Sequence, residues 1–435
     1  MRSTGLSRQR KGHLVLSTPA DVSASSEIEG LIRHGLVNSY FAPVAEASSF
    51  ETVGYTVLPA RADGEAGSDC ERIDEFAGLR ADVRTSGMIG DFDSSLRYIA
   101  LRDAASAGLG ASTRLFLGAE PESLVTLEDR TDEPERSVIL QLDPERIAGA
   151  PATVLRSVRQ ARQLGWGIGM KSIGPDLRTA AFLPLVNPSI VSLHPDVLHM
   201  EDRDELAELI RLLRAHVERT DAVVIAEGVA TEADMRQVRA IGARYVTGPL
   251  IGEPTRAPSP VDKLYDDPLV DHFTRNRLVQ GTPFSICQSL KHDPLVMDEA
   301  LVGSELKSLQ RRALNGSSSI VIIGIYGEQE DVWEDTAERF ASIQQVCGFS
   351  AMLSGGFDVA PVPGVRSGRI DHSDPLRNEY GLIVVGPDWS GMVTASRKND
   401  PGPEGRVEFD VYITTDRYAC VDAARAVLTR VNSER

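Results

Sequence analysis

Gly167-Ile168-Gly169-Met170-Lys171-Ser172-Ile173-Gly174 is a short apolar run that gives way to polar residues and a glycine. A run of that size suits one buried strand ending in a turn. The unit recurs. Leu115-Phe116-Leu117, Val138 to Leu142, Ile190 to Leu193, Val223 to Ala226 and Tyr245 to Gly248 are further strand-sized runs. Amphipathic stretches lie between them. Ala152 to Leu164 sets Leu155, Val158, Ala161 and Leu164 near one helical face. Asp204 to Arg219 does the same with Leu206, Leu209, Ile210, Leu213 and Val217. Thr231 and Asp234 have the spacing of a capping box, and Gly242 stands where a helix-ending glycine is expected. Strand–helix units repeated over roughly 220 residues predict a closed parallel barrel, with an open sheet as the alternative that periodicity does not exclude.

The chain has 435 residues, more than one hydrophobic core usually serves, so two domains and a connector are expected. The reading places a leader at 1–37, disordered at its start, the barrel at 38–256, a connector at 257–280 and a smaller α/β domain at 281–435. Gly252 to Pro260 is rich in proline and is expected to be extended and exposed. A bridging helix is predicted around Val261 to Val279. In the last region Ile320 to Tyr326 and Gly381 to Val385 read as buried strands, and Asp331 to Val346 and Tyr418 to Val431 as helices. Arg406 to Ile413 alternates as a half-buried strand does, while Asp358 to Pro375 and Lys398 to Gly405 read as long loops.

The formal charge of -17 argues against nucleic acid or an anionic membrane as partner, and leaves room for a small local anion pocket. No apolar run reaches the length of a membrane span, and Met1 to Gly12 lacks the apolar core of a secretion signal. Cys70, Cys287, Cys347 and Cys420 show no paired metal-ligand spacing and read as buried thiols in a reducing compartment, so the expected location is the cytoplasm. Ser354-Gly355-Gly356 and Gly324-Ile325-Tyr326-Gly327 lack the partners of a nucleophile elbow or a phosphate loop and read as turns at strand ends.

Tyr40-Phe41-Ala42-Pro43-Val44, Val53-Gly54-Tyr55-Thr56-Val57-Leu58, Ile168 to Gly174 and Ala226-Glu227-Gly228-Val229-Ala230-Thr231 follow one another in an order and spacing that resemble the EAL family of cyclic-di-GMP phosphodiesterases. The resemblance covers about residues 38 to 256 and implies a TIM-type (β/α) barrel. It also implies a site at the strand ends where two divalent metals activate water for phosphodiester cleavage. The family's Glu-Ala-Leu signature reads Thr56-Val57-Leu58 here. By the same alignment a metal-binding Asn falls on Gly118, a Glu on Gln141, paired Asp residues on Lys171 and Ser172, a Lys on Ser192 and its Asp on His194. A second Glu falls on Ala230 and a Gln on Thr247, while Glu227 is retained. One charged oxygen ligand is left, and a lysine replaces a metal-bridging carboxylate.

Three residues carry two readings each. Lys171 contacts a ligand phosphate or pairs with a local carboxylate, the second being favoured. Arg61 lies one position beyond a ligand-contacting Arg of the family and is favoured as a surface residue. Glu227 contacts a ligand or is a vestige held by backbone hydrogen bonds in its loop, the second being favoured. His194 and His199 form no HExxH-like arrangement and are expected at the surface or as caps. The C-terminal region resembles the DICT sensory domain, through Leu301 to Leu306, Ile320 to Tyr326, Phe340 and Tyr380 to Val385. Together the resemblances imply an EAL-like signalling protein without catalysis or cofactor, acting on an unidentified signalling protein. The alternatives are a non-hydrolysing cyclic-di-GMP receptor, which is not favoured, and a divergent phosphodiesterase.

Overall fold

The computed structural model describes residues 19–62, 68–85, 89–124, 136–261, 281–290, 293–316, 318–328, 334–357, 362–398 and 406–432. The first unit opens with helix α1 (Pro19–Arg33), a stretch the sequence reading left in the leader. Its Ile28 and Leu31 are buried against α2 (Asp69–Thr85) and α3 (Ile89–Ser106). Strands β1 (Val37–Glu46), β2 (Thr52–Arg61), β3 (Arg114–Gly118) and β4 (Val138–Leu142) follow, with α4 (Pro121–Leu124) after β3. Helices α5 (Pro144–Gly149) and α6 (Pro151–Gln163) lead to β5 (Gly167–Ile173), and α7 (Leu183–Val186) to β6 (Ile190–Leu193). Then come α8 (Arg203–Thr220), β7 (Val223–Ala226), α9 (Glu232–Ile241) and β8 (Tyr245–Val246).

The eight strands close into a barrel in chain order. β2 to β8 run parallel, whereas β1 is antiparallel to both β2 and β8. That departs from the all-parallel barrel expected from periodicity. The cause is the connection: 47–51 is too short for the crossover that parallel strands need, so β1 and β2 form a hairpin, with Phe50 at φ 58 in its turn. The expected caps of α9 are present. Thr231 and Asp234 form the capping box, and Gly242 ends the helix at φ 78.

The second unit is a seven-stranded mixed sheet in the order β12-β11-β10-β13-β14-β15-β9. Its elements are α10 (Pro283–Gln288), β9 (Leu295–Asp298), α11 (Glu299–Leu314), β10 (Val321–Tyr326), α12 (Glu334–Gln344) and β11 (Phe349–Ser354). They continue with β12 (Arg366–Arg369), β13 (Glu379–Val385), β14 (Ser390–Arg397), β15 (Glu408–Thr414) and α13 (Arg417–Leu428). Arg366–Arg369 was expected within a loop; backbone pairing to β11 makes it the edge strand despite having no apolar residue. Alternation along the strands gives the sheet two faces. Ile322, Met352, Leu382 and Val384 pack toward α11 and α12, and Val321, Ile323, Ala351 and Val385 toward α13 and the barrel.

That second face is continuous with the barrel's own core. Phe182 meets Phe349 edge-on at 5.5 Å, and the Ser319 hydroxyl donates to the Leu177 carbonyl at 2.5 Å. Two arginines, one from each unit, cap the carbonyl end of α7. Arg162 donates to Val186 O at 2.9 Å and Asn187 O at 2.7 Å, and Arg425 to Leu185 O at 2.8 Å. Cations suit that end of a helix, where carbonyls have no partner within it.

Gly252 to Pro260, expected to be extended and exposed, has no helix and is only partly exposed, bends at 256–257, and is not a free strap. Thr255 exchanges backbone hydrogen bonds with Phe41, Tyr55 donates its hydroxyl to Ser259 O at 2.7 Å, and Pro258 is buried. Beyond Val261 the predicted bridging helix falls outside the described residues, as does most of Lys398 to Gly405. Cys287, Cys347 and Cys420 are buried, but Cys70 is exposed, its thiol pushed up by donation to Glu253 at 3.4 Å.

Candidate functional site

Strand alternation decides which side chains reach the barrel's inner mouth. Phe116, Ile139, Ile190, Ile225 and Tyr245 fill the interior as one apolar cluster. Two residues further along each of those strands stand Gly118, Gln141, Ser192, Glu227 and Thr247, and on β5 Lys171 stands two beyond Gly169. Thr56 stands midway along β2, in register with Phe116. The topology therefore gathers Gly118, Gln141, Lys171, Ser192, Glu227 and Thr247 at the carboxyl ends of their strands. Ala230 is set apart: it is exposed, and its backbone N–H goes to Asp234 at 3.0 Å.

The mouth is a small polar network. Gln141 Nε2 donates to Ser192 Oγ at 2.8 Å. Burial pushes the Glu227 carboxyl up, opposed by Lys171, a hydrogen bond with Ser192 and the nearby His194. Gly118 has no side chain, and the space a Cβ would take there is approached by Arg80 Nη1 at 3.7 Å and Lys171 Nζ at 3.9 Å. Past Lys171 the β5 ladder shifts register, and Ser172 sits at φ 57, a left-handed conformation uncommon outside glycine. After Glu227 the chain turns through Gly228 at φ 76, where a Cβ would come within 2.7 Å of Pro195.

Sequence reasoning missed an adjoining cluster. Arg80 on α2 pairs with Asp93 on α3 and lies 3.8 Å from Glu120, just past β3. Arg97 approaches Asp93 at 3.6 Å, and Arg146 holds Glu120 at 3.0 Å. Both carboxylates are almost fully buried. The only hint was position, since Glu120 follows directly on the strand end at Gly118.

The outlying candidates resolve simply. Arg61 binds Glu27 at 2.6 Å and approaches Glu75 at 4.0 Å, tying β2 to α1 and α2. His194 caps the 3-10 turn Pro195–His199, its Nδ1 accepting from the Asp196 N–H at 3.2 Å. His199 lies 3.9 Å from Asp234. Neither joins a cluster with metal-ligand geometry, and among the described residues no group of three or more His, Cys, Asp or Glu could hold an ion.

The profile of the EAL domain matches residues 25–254. The chain belongs to the EAL family. The match begins inside α1, ahead of residue 38 where the sequence reading began the barrel. Solved EAL domains are similar to this one. The EAL domain of FimX from Xanthomonas citri in complex with c-diGMP is 14% identical over 57% of this chain and 97% of its own, with a TM-score of 0.44. The FimX EAL domain from Pseudomonas aeruginosa bound to c-di-GMP is 15% identical over 54% and 97%, with a TM-score of 0.40. An EAL domain protein from Listeria monocytogenes EGD-e is 16% identical over 53% and 94%, with a TM-score of 0.42. A search of the curated proteins gave no match. Among the described residues no helix is long and apolar enough to cross a membrane.

Proposed function

We propose that this EAL-family protein is catalytically inactive and regulates by binding a signalling partner, with its C-terminal sheet domain, which we read as DICT-like, as the controlling element. The observation that carries this reading is the occupancy of the mouth by Lys171, beside Glu227 and above Gly118. Hard divalent cations need several oxygen ligands, mostly carboxylates. Thr56, Gly118, Gln141, Lys171, Ser172, Ser192, Glu227 and Thr247 offer one carboxylate, an amide, hydroxyls and an ammonium. They do not fit the family's two metals. A lysine in place of a bridging carboxylate turns attraction for the metal into repulsion, worth about 4 kcal/mol for a unit charge pair at ~4 Å and an effective dielectric of ~20. Burial disfavours ionisation of the remaining carboxyl as well.

The continuous packing of Phe182 on Phe349, and of Arg162 and Arg425 on α7, supports a regulatory coupling between sheet and barrel. A second reading has its own support. Lys171 and Arg80 converge over Gly118, which suits a non-hydrolysed dinucleotide phosphate, and FimX EAL domains have been solved with c-di-GMP bound. Calorimetry with cyclic-di-GMP, with and without manganese, decides between them. We expect no saturable heat. Micromolar binding lost on Lys171→Glu supports the receptor reading, and metal-dependent turnover establishes a divergent phosphodiesterase.

A further inference from the structure

On the face of the sheet turned away from the barrel, α11 crosses β13, β14 and β15 and leaves a cavity of about 180 Å³ beside α12. Its floor is apolar and aromatic: Val302, Leu306, Tyr326, Leu382 and Phe409. Tyr380 stands edge-on to Phe409 at 5.7 Å and completes an aromatic wall. The rim is cationic. Lys307, Arg339 and Arg397 line it, against one carboxylate, Glu299, among the described lining residues. In a chain with a formal charge of -17, that is a local reversal of sign.

The cations are placed with some care. Gln310 is buried on the inward face of α11, where an apolar residue would suit the helix better. Its amide oxygen accepts from Arg339 Nε at 2.5 Å, and Arg339 Nη2 reaches Thr336 Oγ1 at 3.0 Å. Two polar side chains therefore fix the plane of a guanidinium at the edge of an apolar floor. Beside Gly303 and Lys307 the cavity opens into a wider groove that Arg406 also lines, which provides an entry path.

We propose that this cavity binds a small aromatic carboxylate. Size sets the body of the ligand, because a cavity of roughly 150 Å³ accommodates one benzene ring. Chemistry sets the head group: an arginine fork matches a carboxylate bidentately, and an apolar floor with a few convergent polar groups is the usual form of a small-molecule site. The ring lies on Leu382 and Phe409 and the carboxylate reaches the rim. The inference concerns the sheet alone and does not depend on how the barrel mouth is read.

The test uses the full chain with benzoate, phenylacetate and indole-3-acetate, and with benzamide as the uncharged control. Calorimetry should show saturable binding of at least one acid, with benzamide binding at least tenfold more weakly than benzoate if benzoate is the acid that binds. Arg397→Gln should weaken the acid at least tenfold. Gly303→Trp should abolish binding while circular dichroism stays unchanged, since a Cβ at Gly303 meets no atom within 4 Å and the indole would fill the entry. The proposal is overturned if none of the three acids binds at millimolar concentration, if benzamide binds as well as benzoate, or if Gly303→Trp leaves the affinity intact.

Discussion

The barrel mouth and the outer cavity of the sheet both gather cationic side chains, but they use them differently. At the mouth Arg80, Arg97 and Arg146 answer Asp93 and Glu120, and Lys171 faces Glu227. Opposite charges from one fold meet each other there. On the sheet, Lys307, Arg339 and Arg397 line an apolar hollow, where Glu299 supplies the one carboxylate among the described lining residues. On the proposal made for the sheet cavity, the difference separates charge that holds a scaffold together from charge, such as that of Arg397, placed to meet a ligand.

The comparison breaks most visibly at Asp93. If the mouth cluster is structural, Asp93→Ala leaves the buried Arg97 and the half-buried Arg80 short of a partner and should cost about 3–5 kcal/mol. Urea denaturation of the variant measures it, and a loss below about 1 kcal/mol would mean the cluster is not holding the fold.

A second contrast sets the two units against each other in pH. His216, buried in α8 of the barrel, is held down to about 4 from 6.5 by burial and by Arg417 and Arg219, against a hydrogen bond with Pro188 O. As pH falls from 6.5 toward 4 the unfolded chain takes up a proton that the folded one refuses, so stability falls. Glu379 in β13 is lifted by burial to about 7 from 4.5. As pH rises from 4.5 toward 7 the unfolded chain releases a proton that the folded one keeps, so stability falls in that direction. Each effect amounts to about 3 kcal/mol, and they oppose each other between these limits. Glu379→Gln should therefore make the protein lose stability on acidification, and His216→Gln should make it gain. Urea midpoints at pH 4.5 and pH 7 read both slopes; parallel slopes in the two variants would contradict the assignment.

The smallest effect sharpens the comparison from the other side. Arg397→Gln, exposed on the cavity rim, should change stability by less than about 0.5 kcal/mol. A thermal melt showing a larger loss would place Arg397 among the structural charges.

Most barrel strands were readable because each is a short apolar run, and the capping box at Thr231 marks α9 outright. The hairpin of β1 and β2 was masked by a periodicity argument that ignored how little chain separates Pro43 from Val53. α1 was missed because Ile28, Leu31 and Ile32 bury one narrow stripe in an otherwise polar segment. β12 was missed because Arg366-Ser367-Gly368-Arg369 carries no pattern, and only pairing with β11 extends it. Gly368 is fitted to that place, since a Cβ there would come within 2.1 Å of Arg430 O. At the mouth, motif order identified the strand-end residues, but Arg80, Asp93 and Glu120 come from separate elements that only the fold brings together. The sheet cavity was invisible for the same reason, as its lining is scattered from Glu299 to Phe409.

The central claim is that Lys171 and its neighbours cannot hold the family's metals, and turnover tests it most directly. Purified protein is incubated with cyclic-di-GMP and magnesium or manganese, and the linear dinucleotide is followed by chromatography. The account predicts no product above the protein-free control with either metal. Metal-dependent product that disappears on Glu227→Ala would contradict it.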